Sequence, residues 1–173
     1  MQRAISPDWL LRQADELGYR GAGAGQPRNA NLRRAVSSSY YALFHSVALA
    51  AAQHLLPGGT TEERQRLARS FSHANLRLAC EYVVTPNSTP TEARPIAASA
   101  GANAALVDVA EALLSLQEAR HLADYDHLAN FTKAGVLQAV DAARDAAVKL
   151  GALAGAADLQ RFLSLLALRQ SLK

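Results

Sequence analysis

The stretch EARHLADYDH, residues 118–127, places an arginine, several carboxylates, a tyrosine and two histidines at the end of a segment otherwise rich in alanine and leucine. Arginine's planar fork suits phosphate, so the stretch is either a solvated helix end or an active site. Leu106, Leu113 and Arg120 are spaced by seven, two helical turns, which puts Arg120 on the apolar stripe rather than on the solvated face. An arginine there needs a partner, and Asp124, four residues on, supplies one as a local salt bridge. His127 falls on the same face if the helix persists. Thr132, however, reads as the cap of the next helix, so the chain must turn within 126–131. Tyr41 and His45 are four apart on an earlier helix and share a face on which they can bond a common partner. His54, His73 and His121 read as exposed or core-satisfied side chains. No His-Glu-x-x-His or cysteine cluster accompanies them, so neither a metal nor another cofactor is expected. No Gly-x-Ser-x-Gly hydrolase elbow is present either.

The elements that must hold these residues are helical, because the segments between Gly/Pro clusters repeat with helical spacing and none alternates as a strand would. A first helix opens at Ser6-Pro7, with Ile5 and Leu10 as a hydrophobic staple, and is expected to end near Arg20. GAGAGQPRN then reads as a linker: no strand precedes its glycines and no Gly-Lys-Ser/Thr follows, so it is no phosphate cradle. A long helix over about 30–56 carries Leu32, Val36, Tyr40, Leu43, Val47 and Ala50 as one buried stripe and stops at PGG. Thr60 and Glu63 form a capping box for a third helix, and HANLRLACEYVV continues it or forms a fourth. Residues 85–101, rich in Pro, Ser and Thr, read as an exposed loop. A helix follows from about Asn103, another from Thr132 to about 151 with Phe131 and Val136 as its staple, and a last one over DLQRFLSLLALRQ. The prediction is an all-α bundle of about six helices, one domain over 1–173.

Half of the residues are apolar and 19% are charged, enough for one sizeable core. The net charge is +3 (18 − 15), but residues 1–80 hold ten Arg against five acids while residues 81–173 hold eight basic and ten acidic groups. Fifteen of the eighteen basic residues are Arg, which leans toward an anionic partner. The longest apolar run, YYALFHSVALAAA, falls short of the roughly 20 residues that span a bilayer, and the N-terminus has no hydrophobic block. With a single cysteine, Cys80, a cytoplasmic protein away from membranes is expected.

RRAVSSSYYALFHSVALAAA (33–52), FSHANL (71–76) and RHLADYD (120–126) together resemble HEPN domains, in order and spacing, over about residues 30–150. The first is similar to their Tyr-Tyr-Ala-x-Phe-His helix, the second to their short Ser-His segment, and the third to their Arg-x-x-Ala-Asp-Tyr signature. The resemblance implies an antiparallel helical bundle with a four-helix core and extra short helices, commonly paired as a homodimer. Many members are metal-independent endoribonucleases of toxin–antitoxin or antiviral systems, often beside a nucleotidyltransferase. Carried over, Arg120 would hold the scissile phosphate and His127 would move the proton of the ribose 2′-hydroxyl, with the motifs of two protomers forming one composite site. Tyr125 here stands where the best-defined toxins have the histidine, and His127 where they have a tyrosine. Two functions follow: a dimeric RNA-cleaving effector, or a non-catalytic HEPN module that binds a nucleotide, nucleic acid or a protein partner; for either, the resemblance implies a nucleotidyltransferase or other antitoxin as a candidate partner. In the second, Arg120 and Asp124 serve structure.

Overall fold

In a computed structural model, residues 6–18 and 27–170 are described, the side chains of 168–170 excepted. Among them the chain forms eight α-helices and no strand: α1 (Pro7–Leu17), α2 (Asn29–Leu55), α3 (Thr61–Ala68), α4 (His73–Val84), α5 (Arg94–Gly101), α6 (Ala104–Tyr125), α7 (Lys133–Ala152) and α8 (Ala157–Gln170). The all-α bundle read from the sequence is therefore what the chain forms.

The long α2 is the centre, packed against α1, α6 and α7. Its first turns lie beside the end of α6, where Arg33 bonds the carbonyls of Ala123 and Asp126, while Tyr41, two turns on, meets Arg120. Advancing along α2 thus means retreating along α6, and the pair is antiparallel. The seven-residue connection 126–132 turns α7 back antiparallel to α6, with Lys149 near the end of α7 paired to Asp108 near the start of α6. The predicted stripe of α2 is buried at Leu32, Val36, Tyr40, Leu43 and Val47, while Ala50 is half-buried. Leu159, Phe162, Leu163 and Leu166 bring α8 onto the same core.

The caps follow the sequence closely. Thr60 and Glu63 form a complete capping box, and the Thr132 side chain accepts the Gly135 N–H at 3.1 Å. Ser6 does stand at the N-cap of α1 with Pro7 next, but its side chain makes no capping bond; its carbonyl takes the Trp9 and Leu10 N–H groups. That helix stops at Leu17, earlier than Arg20, where the Gly18 N–H closes on the Ala14 carbonyl. Ile5 of the staple and most of the glycine linker lie outside the described residues.

The loop expected over 85–101 needs correction. Residues Pro86–Ser88 make one 3-10 turn and Arg94–Gly101 are α5. Pro95 sits in the first turn of α5, where its missing N–H breaks no intrahelical bond. Ala97 and Ala100 are fully buried. Gly101 passes so close to α4 that an added Cβ would lie 2.5 Å from the Val83 carbonyl oxygen. The bundle thereby gains helices beyond the six expected. Among the described residues no single helix is long and apolar enough to cross a membrane.

Candidate functional site

Arg33, Ser37, Tyr41 and His45 succeed one another at intervals of four along α2 and so form one row. That row faces the end of α6. Arg33 donates from Nη1 to the Ala123 carbonyl at 2.9 Å and from Nη2 to the Asp126 and Ala129 carbonyls, both at 2.7 Å. The last carbonyls of a helix have no intrahelical donors and carry its negative dipole end, so a cation is well placed there. The Phe131 ring lies 5.7 Å beneath the same guanidinium.

One turn on, Ser37 donates to Asp124 Oδ1 at 2.7 Å. The other carboxylate oxygen, Oδ2, lies 2.6 Å from Arg120 Nε, which is the salt bridge expected from the spacing. It is a charge contact without hydrogen-bond alignment, so the buried Nε–H has no directed acceptor. Arg120 Nη2 donates to Tyr41 Oη at 3.0 Å, and its guanidinium lies 5.5 Å from the Tyr41 ring and 5.7 Å from the Tyr125 ring. Burial opposes its charge, but Tyr41, Asp124 and Tyr125 outweigh burial and raise its pKa. Its side chain is 19% exposed, while Leu106 and Leu113 above it are buried, so Arg120 does extend the apolar stripe.

Beside this cluster stands His73, the first residue of α4. Its Nδ1 is 2.7 Å from Tyr40 Oη, its ring is 4.1 Å from that of Phe44, and it meets the Tyr41 ring edge-on at 5.7 Å. Burial, then the positive Arg120, then His45 hold its pKa below the usual imidazole range. His45 stacks on Tyr41 at 6.3 Å and is lowered by burial. Both imidazoles are therefore neutral at pH 7. The same burial pushes the Tyr40 phenol up.

The remaining residues of the motif point outward. The helix ends at Tyr125, whose ring is exposed and 5.0 Å from that of His121. His127 follows in a turn pinned by the Leu128 N–H bond to Asp126 Oδ1 at 2.8 Å. Its side chain is exposed and makes no hydrogen bond or ring contact among the described residues. Within one protomer, Arg120, Asp124, Tyr125, Tyr41 and His45 are thus brought together, and His127 lies apart from them. An open groove runs along this end, lined by Arg77, Gln117, Glu118, Arg120, His121 and Leu122. Among the described residues, no three His, Cys, Asp or Glu side chains come together as metal ligands would.

Sequence reasoning missed Arg33, Ser37 and Tyr40 as members of this cluster, and it set His73 aside as exposed or core-satisfied. The four-residue interval from Tyr41 back to Ser37 and Arg33 was the available signal. No protein-family model matches this chain. No curated protein or solved structure gives a significant match either.

Proposed function

We propose that this chain is a HEPN-type protein that acts as a homodimer and takes a phosphate of RNA or of a nucleotide at Arg120. The observation that carries the reading is the condition of that guanidinium. It is held at Nη2 by Tyr41 with the Asp124 carboxylate beside Nε, it remains 19% exposed, and its Nη1 donates no hydrogen bond among the described residues. A partly buried charge pair stabilises a fold little better than apolar side chains of the same volume, so an oriented fork at the mouth of a groove favours binding. Asp124 offsets part of the charge of Arg120, and two such motifs meeting across a dimer would put two forks on one phosphate. Leu122, Tyr125 and Leu128, all exposed at this end, supply an apolar surface for such pairing. A nucleotidyltransferase or other antitoxin partner belongs to the same HEPN reading.

Fluorescence anisotropy with a labelled oligoribonucleotide at several salt concentrations tests it. Wild type is expected to bind, and Arg120→Ala to weaken binding and flatten the salt dependence by about one phosphate contact for each motif lost. Binding that Arg120→Ala leaves untouched, or no binding by wild type, overturns it.

Metal-independent RNA cleavage is the second reading. It is favoured by the exposed His127, whose side chain is held by no hydrogen bond among the described residues. In EDTA, Arg120→Ala should abolish cutting and His127→Ala should slow it by about 10²–10⁴-fold, the loss typical of a missing general acid or base. A wild-type protein that leaves RNA intact removes cleavage and leaves binding standing.

A further inference from the structure

Three serines stand in succession at the middle of α2, all buried: Ser37 and Ser38 at 4% exposure and Ser39 at 0%. A serine inside a helix usually returns its hydroxyl to the carbonyl four residues back. Ser39 does this, donating to the Ala35 carbonyl at 2.9 Å, as does Ser46 to Ala42 at 3.0 Å. Ser38 crosses to α1 and bonds Gln13 Oε1 at 3.0 Å. Ser37 crosses in another direction, to Asp124 Oδ1 on α6, 87 residues away in sequence.

We propose that Ser37 is a positioning residue for the Arg120 site, acting through Asp124; the ligand side of this inference rests on the RNA-binding reading above. A carboxylate beside an arginine on the same helix is free to rotate until it meets the guanidinium with two parallel bonds. Ser37 takes Oδ1 and leaves only Oδ2 for Arg120, which it meets at Nε and out of line. Tyr41, one turn further along the same row, holds Nη2. The result is a chain from Ser37 through Asp124 and Arg120 to Tyr41 that starts and ends on α2 and keeps the second oxygen of Asp124 off Nη2, the nitrogen that shares an edge with Nε. With Ser37 removed, Asp124 is free to grip Nε and Nη2 together, which displaces Tyr41 and takes one of the two nitrogens at the Nη1–Nη2 end that a phosphate would use.

The test compares Ser37→Ala with Ser39→Ala, an equally buried truncation on the same helix that has no bond to Asp124. In the free protein, the Arg120 Nε–Hε NMR resonance is expected to shift or broaden in Ser37→Ala and to stay put in Ser39→Ala. For the oligoribonucleotide, Ser37→Ala is expected to lose about threefold to tenfold in affinity, the scale of one hydrogen bond, while Ser39→Ala binds as wild type. In an Asp124→Ala background, Ser37→Ala should add nothing further. An unchanged Arg120 resonance in Ser37→Ala, the same change in Ser39→Ala, or additive effects with Asp124→Ala would each overturn the positioning role. If wild type binds no oligoribonucleotide, the RNA reading falls alone, and the Arg120 resonance still decides the role of Ser37.

Discussion

A histidine at the first position of a helix, with a phenol on one nitrogen, an aromatic ring 4.1 Å from its own and an arginine nearby, is held neutral by every neighbour that bears on its charge. His73 and His45 both titrate below the usual imidazole value of about 6.5 in the folded chain. The unfolded chain therefore binds more protons as the pH falls. Stability from these groups is full above about pH 6.5 and declines below it, down to their folded pKa values. Melting temperature is expected to drop from pH 7.5 to pH 5.5. The drop should shrink in His73→Gln, which retains a hydrogen-bonding group for Tyr40 but cannot take up a proton. An equal drop in both proteins would mean that His73 is not kept neutral by its surroundings. His73 also marks where sequence reading runs short: FSHANL betrays nothing of Tyr40 and Phe44, which reach it from another helix.

Among the elements, the end of α6 owes its shape to a residue on α2. Arg33→Ala leaves the carbonyls of Ala123, Asp126 and Ala129 without their charged donor. The expected loss is about 2 kcal/mol, since bonds to charged groups are strong but these are partly solvated. Amides of residues 123–130 should exchange faster in this variant, and Arg33→Lys should recover only part of the protection, because an ammonium cannot fork to three oxygens. The helices with amphipathic spacing and caps were legible: α2 from its stripe, α3 from Thr60 and Glu63, α7 from Thr132. So was the pair of Arg120 and Asp124, because it is local. Across-helix partners were not, since a four-residue interval fixes a face but not what the face meets. Helix α5 was missed because Pro, Ser and Thr mark a loop by composition, whereas its burial rests on small residues that permit close approach. Gly101 is its sharpest point. Gly101→Ala must push against the backbone oxygen of Val83, and a loss of about 1–3 kcal/mol in thermal or denaturant unfolding is expected. A variant as stable as wild type would mean that α4 and α5 separate freely.

For the whole molecule, the exposed apolar side chains at the end of α6 set the expected assembly. Leu122 is 46%, Tyr125 61% and Leu128 89% exposed; Leu122 lines the groove with Arg120, the Tyr125 ring lies 5.7 Å from its guanidinium, and Leu128 follows in the turn beyond. Sedimentation at micromolar concentration is expected to give about twice the chain mass of 18.4 kDa, and Leu122→Asp or Tyr125→Asp to return the monomer. A wild-type chain that sediments only as a monomer removes the composite site. The clamp of Arg33 on α6 also bears on how the chain is made. Its donor and its acceptors are 90 to 96 residues apart. At ribosomal rates of roughly 5–20 residues per second, α2 leaves the exit tunnel about 5–20 s before the residues it must grip. Its buried row of tyrosine, leucine and valine waits through that interval with only α1 and the helices that follow it for cover. A ribosome stalled before Ala129 therefore carries an open, sticky half-bundle, because the Arg33 clamp and the whole of α7 are still missing from the face of α2 that they cover.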